Sequence, residues 1–356
     1  MDSARPSEDQ SSVISELSRS NPIVARVLRR WRALTGVPNA RDTDRRTLVA
    51  LSGGADSTAL SAILATVTPK PILAHIVHDL RDASLAAIDR DAAAQIASDL
   101  GCVFHEQSIQ IKSLPGNAEH NARQARYTAL CDIAHQESVQ YIATGHHAED
   151  QLETVLMNIS RGCGAHGLAG IHDSRLVNGC TVVRPMLGVQ RAELIQICRT
   201  AGLAWVHDHT NDDLSMTRNK VRHQLLPEIL AFDPEFAARA NQSADAVRSM
   251  VQAMDQLVSD HVWTLGTILP DSLEWSRQSL RRQADASLYV LLRQCALHLN
   301  RGNSQVNGLD SMTKSSVESS ICAITDSSTE PRVCRVGPIV VSVQANSVTV
   351  TLSDSV

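Results

Sequence analysis

The chain has 356 residues, 43% of them hydrophobic but only 3% aromatic, and a formal net charge of −5. That length admits two or three domains with aliphatic cores, and the acidic balance excludes a general polycationic nucleic-acid coat, leaving RNA contact to local patches. Eight scattered cysteines without a C-x-x-C pair argue against zinc or an iron–sulfur cluster; without a signal-like N-terminus or an apolar run of membrane length, a cytoplasmic protein making no membrane contact is expected.

Residues 1–20 are polar, mixed in charge and read as a disordered extension. Asn21-Pro22 predicts a capped helix to about Leu34, whose Arg26, Arg29, Arg30 and Arg32 form either a solvated face or a phosphate-contacting patch. From Thr47 strands and helices alternate: strands over 47–51, 72–77, 102–106, 141–144 and 181–183, with helices over 57–67, from a Ser84 cap to Gly101, and over 117–138, 147–160 and 190–201. The pattern predicts an α/β domain over 21–229, a Rossmann-like parallel sheet with helices on both faces and ligands beyond the carboxyl ends of its strands. Arg161 to Gly170 holds four glycines and reads as a flexible or closely approached loop, or as a lid. After Pro227 a helical domain is expected over 230–300. Its core stripe would be Val247, Met250, Val251, Met254, Leu257, Val258 and Val262, followed by a second helix over 279–299. A polar linker over 301–320 and a small β-rich unit over 321–356, turning near Asn346, complete the chain.

Two stretches carry chemistry. The first is Ser52-Gly53-Gly54-Ala55-Asp56-Ser57, where a strand feeds a glycine turn into a helix N-terminus. Free backbone N–H groups and the helix dipole favour an anion there, with Ser52, Ser57 and Thr58 as further hydroxyl donors. No lysine follows, so it is not a Walker loop, and two adjacent glycines do not make the dinucleotide fingerprint. A pyrophosphate-binding loop of the SGGxDS type, found in ATP pyrophosphatases, remains. The second stretch is Gly145-His146-His147-Ala148-Glu149-Asp150-Gln151-Leu152-Glu153. On a helix, His146, Asp150 and Glu153 share one face and Leu152, Val155 and Leu156 pack the other side onto the sheet. Such a set can bind Mg²⁺, position an amine or accept a proton, and it also suits a plain polar helix start. Arg123 and Arg126, beside Tyr127, are either a phosphate clamp or surface charges. Arg218, Asn219, Lys220, Arg222 and His223 form a basic cluster open to RNA-phosphate or plain turn readings. His75 and His105 read as structural.

The blocks SGGADS, HIVHDLR, NARQARY, GHHAEDQLETVLMNISRGCGAHGLAGI, RPML, RAEL and DHTNDDLSMTRNKVRHQLLP occur in an order that resembles the tRNA(Ile)-lysidine synthetases. The resemblance is close over about 45–228 and looser to about 300. It implies an adenine nucleotide α-hydrolase-like fold and joining of L-lysine, with ATP and Mg²⁺, to the wobble cytidine of the CAU-anticodon isoleucine tRNA. AMP and pyrophosphate would leave, and reading would change from AUG to AUA. It further implies nucleotide binding by Ser52 to Ser57 with Asp56 also toward the metal, Arg126 on the phosphates, and His146 and Asp150 at the catalytic centre. Asp150 and Glu153 would place the lysine, and the cluster from Arg218 to His223 would face tRNA. A homodimer is left open. Val77 and Asp79 replace the family's usual Asn and Gly, and Glu149 its usual Asp. A tRNA pyrimidine thiolase and a non-catalytic ATP- or RNA-binding module are the rival expectations.

Overall fold

The computed structural model describes residues 17–37, 39–79, 82–112, 118–206, 217–300 and 312–353. The chain divides into two compact units, Met1–Arg248 and Ser249–Val356. That division lies within a helix, beyond the boundary expected after residue 229.

In the first unit, α1 (Pro22–Leu34) is capped by the Asn21 side chain, which accepts from the Ile23 and Val24 N–H groups, and it buries Val24, Val27, Leu28 and Trp31. Arg26 pairs with Glu193 at 2.6 Å, Arg32 with Asp42 at 2.6 Å and Arg30 with Asp173, so these arginines tie α1 to its own unit. Of the extension expected to be disordered, residues 1–16 lie outside the described residues. Leu17 is buried in the core and Arg19 donates to the Thr66 carbonyl at 2.9 Å, which corrects the expectation for 17–20.

Six strands follow: β1 (Thr47–Ala50), β2 (Ile72–His78), β3 (Val103–Ile109), β4 (Tyr141–Ala143), β5 (Ser174–Val177) and β6 (Cys180–Val183). They lie in the order β3-β2-β1-β4-β6-β5, all parallel except β5. Neighbouring strand residues enter different cores. Val49, Leu73, Ala143 and Val183 join the cluster with α2 (Ala55–Leu64), α3 (Ala83–Leu100) and α7 (Arg191–Thr200). Leu48, Ile72, Ile142 and Val182 join the one with α4 (Ala118–Gln136). Both faces are therefore covered, as a parallel sheet requires. The cap of α3 is Asp82, not Ser84, whose N–H its carboxylate accepts at 2.9 Å. β5 was not expected. It pairs with β6 through Asn178-Gly179, whose φ values of 46° and 81° make the hairpin turn.

After β4, α5 (Ala148–Ser160) packs Ala148 and Leu152 against Leu226 and Ala237, with Leu156 alongside, rather than against the sheet. These partners come from α9 (Leu226–Phe232) and α10 (Phe236–Leu257), helices far along the chain from α5. The glycine-rich loop holds the short α6 (Ala165–Leu168) and is the closely approached loop expected. Gln151 accepts from Ile171 N–H at 2.6 Å, and Asn158 donates to the Gly167 carbonyl at 2.9 Å. Gly170, at φ +63°, leaves room for Gln151, which a Cβ would meet at 2.5 Å.

The second unit is a five-stranded antiparallel sheet in the order β7-β8-β11-β10-β9: β7 (Gly266–Ile268), β8 (Ser272–Ser276), β9 (Arg332–Val336), β10 (Ile339–Val343) and β11 (Ser347–Leu352). Leu273, Trp275, Ile339, Val341, Val348 and Val350 form its core with residues of α12 (Asp285–Leu299) and α13 (Lys314–Thr325). The segment expected to be all helical thus contributes two strands, and its second helix is broken into α11 (Arg277–Leu280) and α12. Residues 314–320, read as linker, begin α13, where Val317 is buried; 301–311 lie outside the described residues. The apolar stripe is narrower than expected: Val251, Val258 and Val262 are buried, whereas Met250 is 71% and Leu257 53% exposed. Val251, Met254, Val258 and Val262 keep three- and four-residue spacing on one face, and Met250 and Leu257 fall beside it.

Candidate active site

The strand order reverses between β1 and β4, the place where an open α/β sheet leaves a crevice. Both chemistry-bearing stretches arrive there. Gly53 takes φ +87°, Gly54 is the N-cap of α2, and no side chain caps that helix's first turn. The Ser57 hydroxyl accepts from Ser52 N–H at 3.1 Å and donates to the Gly54 carbonyl at 3.1 Å; Thr58 donates to the same carbonyl at 2.9 Å. Buried Ser57 and Thr58 therefore hold the loop from inside, instead of offering hydroxyls outward; Ser52 stays exposed. What remains for an anion is the main-chain N–H set opening α2.

From the other side, Gly145 presses on this turn: a Cβ there would lie 3.0 Å from Ser57 N. Gly145→Ala is expected to push the two loops apart and lower kcat/KM for ATP about 100-fold, with thermal stability little changed; steady-state pyrophosphate release checks this.

His146 and Asp150 do not share a helix face. Residues 144–147 are non-helical, and α5 begins only at Ala148 with His147 as N-cap. His146 Nδ1 lies 2.9 Å from Thr144 Oγ1. Burial pushes its pKa down to about 3, with the charges of Arg184, Arg123 and Arg218 adding to this and Asp150 opposing, so the ring is neutral at pH 7.

His147 is the site residue that sequence reasoning missed. Its Nδ1 lies 2.9 Å from Glu149 Oε2, and its Nε2 lies 3.5 Å from Asp56 Oδ2 and 3.4 Å from Asp150 Oδ2. Burial opposes its charge, but those carboxylates hold its pKa well above the ordinary value, making it an imidazolium. A signal was present: an acid three residues after a residue at a strand's exit is the capping-box pattern, and Asp150 does accept from His147 N–H at 3.1 Å.

Asp150 and Glu153 stay together on α5, as expected, but both are engaged. Arg222 Nη2 donates to Asp150 Oδ1 at 2.7 Å and its Nε to Glu153; Arg218 Nε donates to Glu153 at 2.9 Å and its Nη2 lies 3.8 Å from Asp150. These arginines come from α8 (Thr217–Lys220) and the π-helical turn Val221–Leu225. Burial alone would raise the Asp150 carboxyl, but His147, His146, Arg222 and Arg218 hold it far below the carboxylate range. Arg218 and Arg222, expected at a tRNA surface, thus turn inward onto α5, whereas Lys220 and His223 are exposed. The residues 207–216 that lead into them lie outside the described residues.

Arg123 stacks over Tyr127 at 5.3 Å and its charge reaches His146, whereas the charge of Arg126 reaches His75. His75 is structural, its Nδ1 2.8 Å from the Leu51 carbonyl. The two departures also gain reasons. Asp79 Oδ1 accepts from Ile111 N–H at 2.7 Å, tying the end of β2 to the end of β3. Glu149 accepts from Arg191 N–H at 3.1 and 3.0 Å, so it caps α7 while holding His147.

Among the described residues no three His, Cys, Asp or Glu side chains group as a ready metal cage. Asp56 nevertheless fits Mg²⁺: its Oδ1 is buried without a hydrogen-bond partner, and it stands at the anion-binding turn, where Mg²⁺ takes one or two carboxylates beside phosphate oxygens.

Residues 26–229, more than half of the chain, match the family described as the PP-loop domain. A tRNA(Ile)-lysidine synthase from Nostoc sp. is 33% identical over 262 residues, covering 71% of this chain and 73% of the relative. The chain belongs to the tRNA(Ile)-lysidine synthase family. Another lysidine synthase, from Novosphingobium aromaticivorans, is 34% identical over 65% of this chain and 69% of its own length. A third, from Pseudomonas syringae pv. tomato, is 34% identical over 64% of this chain, which spans about half (54%) of that relative. Among solved structures, a U34-tRNA thiolase from Methanococcus maripaludis has 15% identity over 63% of this chain and 78% of its own, with a TM-score of 0.49, a likeness too slight to discriminate between acceptors. No helix among the described residues is long and apolar enough to cross a membrane.

Proposed function

We propose that this chain joins L-lysine to the wobble cytidine of tRNA(Ile) bearing a CAU anticodon, consuming ATP to AMP and pyrophosphate. The observation that carries the reading is the shared crevice: the uncapped N-terminus of α2 and the His146–His147–Asp150 group meet at the β1/β4 reversal, with Gly145 against Ser57. In the first step the cytidine ring oxygen attacks the α-phosphate of ATP, and the N–H groups opening α2 take the departing pyrophosphate. In the second the lysine ε-amine attacks the activated ring carbon and AMP leaves. The amine must be neutral to attack. His146, neutral at pH 7, adds no positive charge against the incoming ammonium, and its low pKa makes it a poor base; His147, charged, orients Asp56 and Asp150. Asp150, ionised, attracts the ammonium before it deprotonates, once Arg222 yields. Asp56 would hold Mg²⁺, which supplies charge neutralisation on the phosphates when bound. Lys220 and His223, both exposed, would meet tRNA phosphates in this reading.

The test is to incubate the protein with ATP, Mg²⁺, labelled lysine and tRNA(Ile) transcripts carrying cytidine or uridine at the wobble position. Label is expected in a nucleoside of the cytidine transcript only, with one AMP per lysine joined. Equal labelling of the uridine transcript, or sulfur in place of lysine, would refute the reading.

A further inference from the structure

We propose that Arg184 binds the α-carboxylate of the substrate lysine, with Tyr127 and Arg123 completing the subsite. This rests on lysine being the acceptor amine and places the far end of that molecule. Four arginines of the described chain are buried: Arg45, Arg184, Arg248 and Arg277. Three of them have carboxylates: Arg45 has Asp42 at 4.0 Å, Arg248 has Asp245 at 2.5 Å and Asp173 at 3.2 Å, and Arg277 has Asp326 at 2.8 Å. Arg184, 3% exposed, has none among the described residues. It donates from Nη1 to the His172 carbonyl at 2.6 Å, Tyr127 lies close enough to act on its charge, and its Nε is buried without a hydrogen-bond partner. A buried guanidinium without a counter-ion is costly, and a planar carboxylate matches its fork.

The position is on the acceptor side. Ala143 is paired with Val183, and Thr144 N–H donates to the Val183 carbonyl at 3.0 Å, so Arg184 follows β6 beside the residue that holds His146. Arg123, exposed and stacked on Tyr127, likewise has no carboxylate partner among the described residues. His146 thus lies within reach of both Asp150 and this basic pair, which suits a ligand with an amine at one end and a carboxylate at the other.

Initial rates are compared with lysine, lysinamide and cadaverine, using wild type, Arg184→Gln and Arg123→Gln. Wild type is expected to prefer lysine over both analogues about 100-fold in kcat/KM. In Arg184→Gln lysine should fall to the level of the analogues, so that discrimination drops to within about threefold while the KM values for ATP and tRNA hold. Should Arg184→Gln not fold, the exposed Arg123→Gln must still lower discrimination about tenfold. Wild-type indifference to the carboxylate, unchanged discrimination in the folded variants, or a rise in KM for tRNA instead of lysine would each overturn the proposal. No product from lysine itself would overturn the proposed function, and this subsite with it.

Discussion

Lysidine formation is expected to fall about 1000-fold in Asp150→Asn, with the folded structure retained. The carboxylate does two separable things. Its first is to cap α5 by accepting from His147 N–H, and an asparagine oxygen can do the same. Its second is to be a negative charge beside His147, His146, Arg218 and Arg222, and an amide cannot be that. Arg222 keeps Glu153 and His147 keeps Glu149 and Asp56, so no partner is left without an anion and the unfolding midpoint should move little. The amine of the incoming lysine, by contrast, loses the charge that draws it to His146. Labelled-lysine incorporation and thermal unfolding measured on the same preparation check both halves; near-normal incorporation would remove Asp150 from the chemistry.

Arg277→Leu is expected to destabilise the second unit by about 3–5 kcal/mol, enough to leave it largely unfolded in a marginally stable protein. Arg277 is 3% exposed and opens α11. Its Nε donates to the Ile324 carbonyl at 3.1 Å; Nη2 to the Ala323 carbonyl at 2.7 Å and to Asp326 Oδ1 at 2.8 Å; Nη1 to Ser328 and, at 3.4 Å, to Gln344. One side chain thus satisfies the carbonyl end of α13 and the turn between β10 and β11. Leucine would fill much of the volume but leave those carbonyls buried without donors. Denaturant unfolding followed by tryptophan fluorescence in a Trp31→Phe, Trp205→Phe background, which leaves Trp263 and Trp275 of this unit as reporters, should show the loss; a midpoint unchanged from that background would contradict it.

The first unit was legible in the sequence because its signals are local. Strand–helix alternation, the cap at Asn21 and the glycine turn all act within a few residues, and the structure keeps each near its expected place. The misses arise where distant partners decide. His146 and Asp150 fit helical spacing, but the chain leaves β4 extended and starts α5 only after His147. Arg218 and Arg222 look like a surface cluster until Glu153, 65 and 69 residues away, is seen to hold them. β7 and β8 sit among helical patterns, and β8 is made a strand by pairing with β11 from the far end of the unit. His147 needed no distant partner to be noticed, only attention to the cap.

The strand order of the second unit bears on how it is made. β11, the last of its strands to be synthesised, lies between β8 and β10. Until residue 352 is available to pair, β8 and the β9–β10 hairpin each present an open edge, with Val333 and Ile268 exposed besides. Open strand edges recruit other chains. Translation that stalls before Ser347 would therefore yield a chain whose first unit can fold, carrying an adhesive remnant behind it, and quality control rather than catalysis would decide its fate.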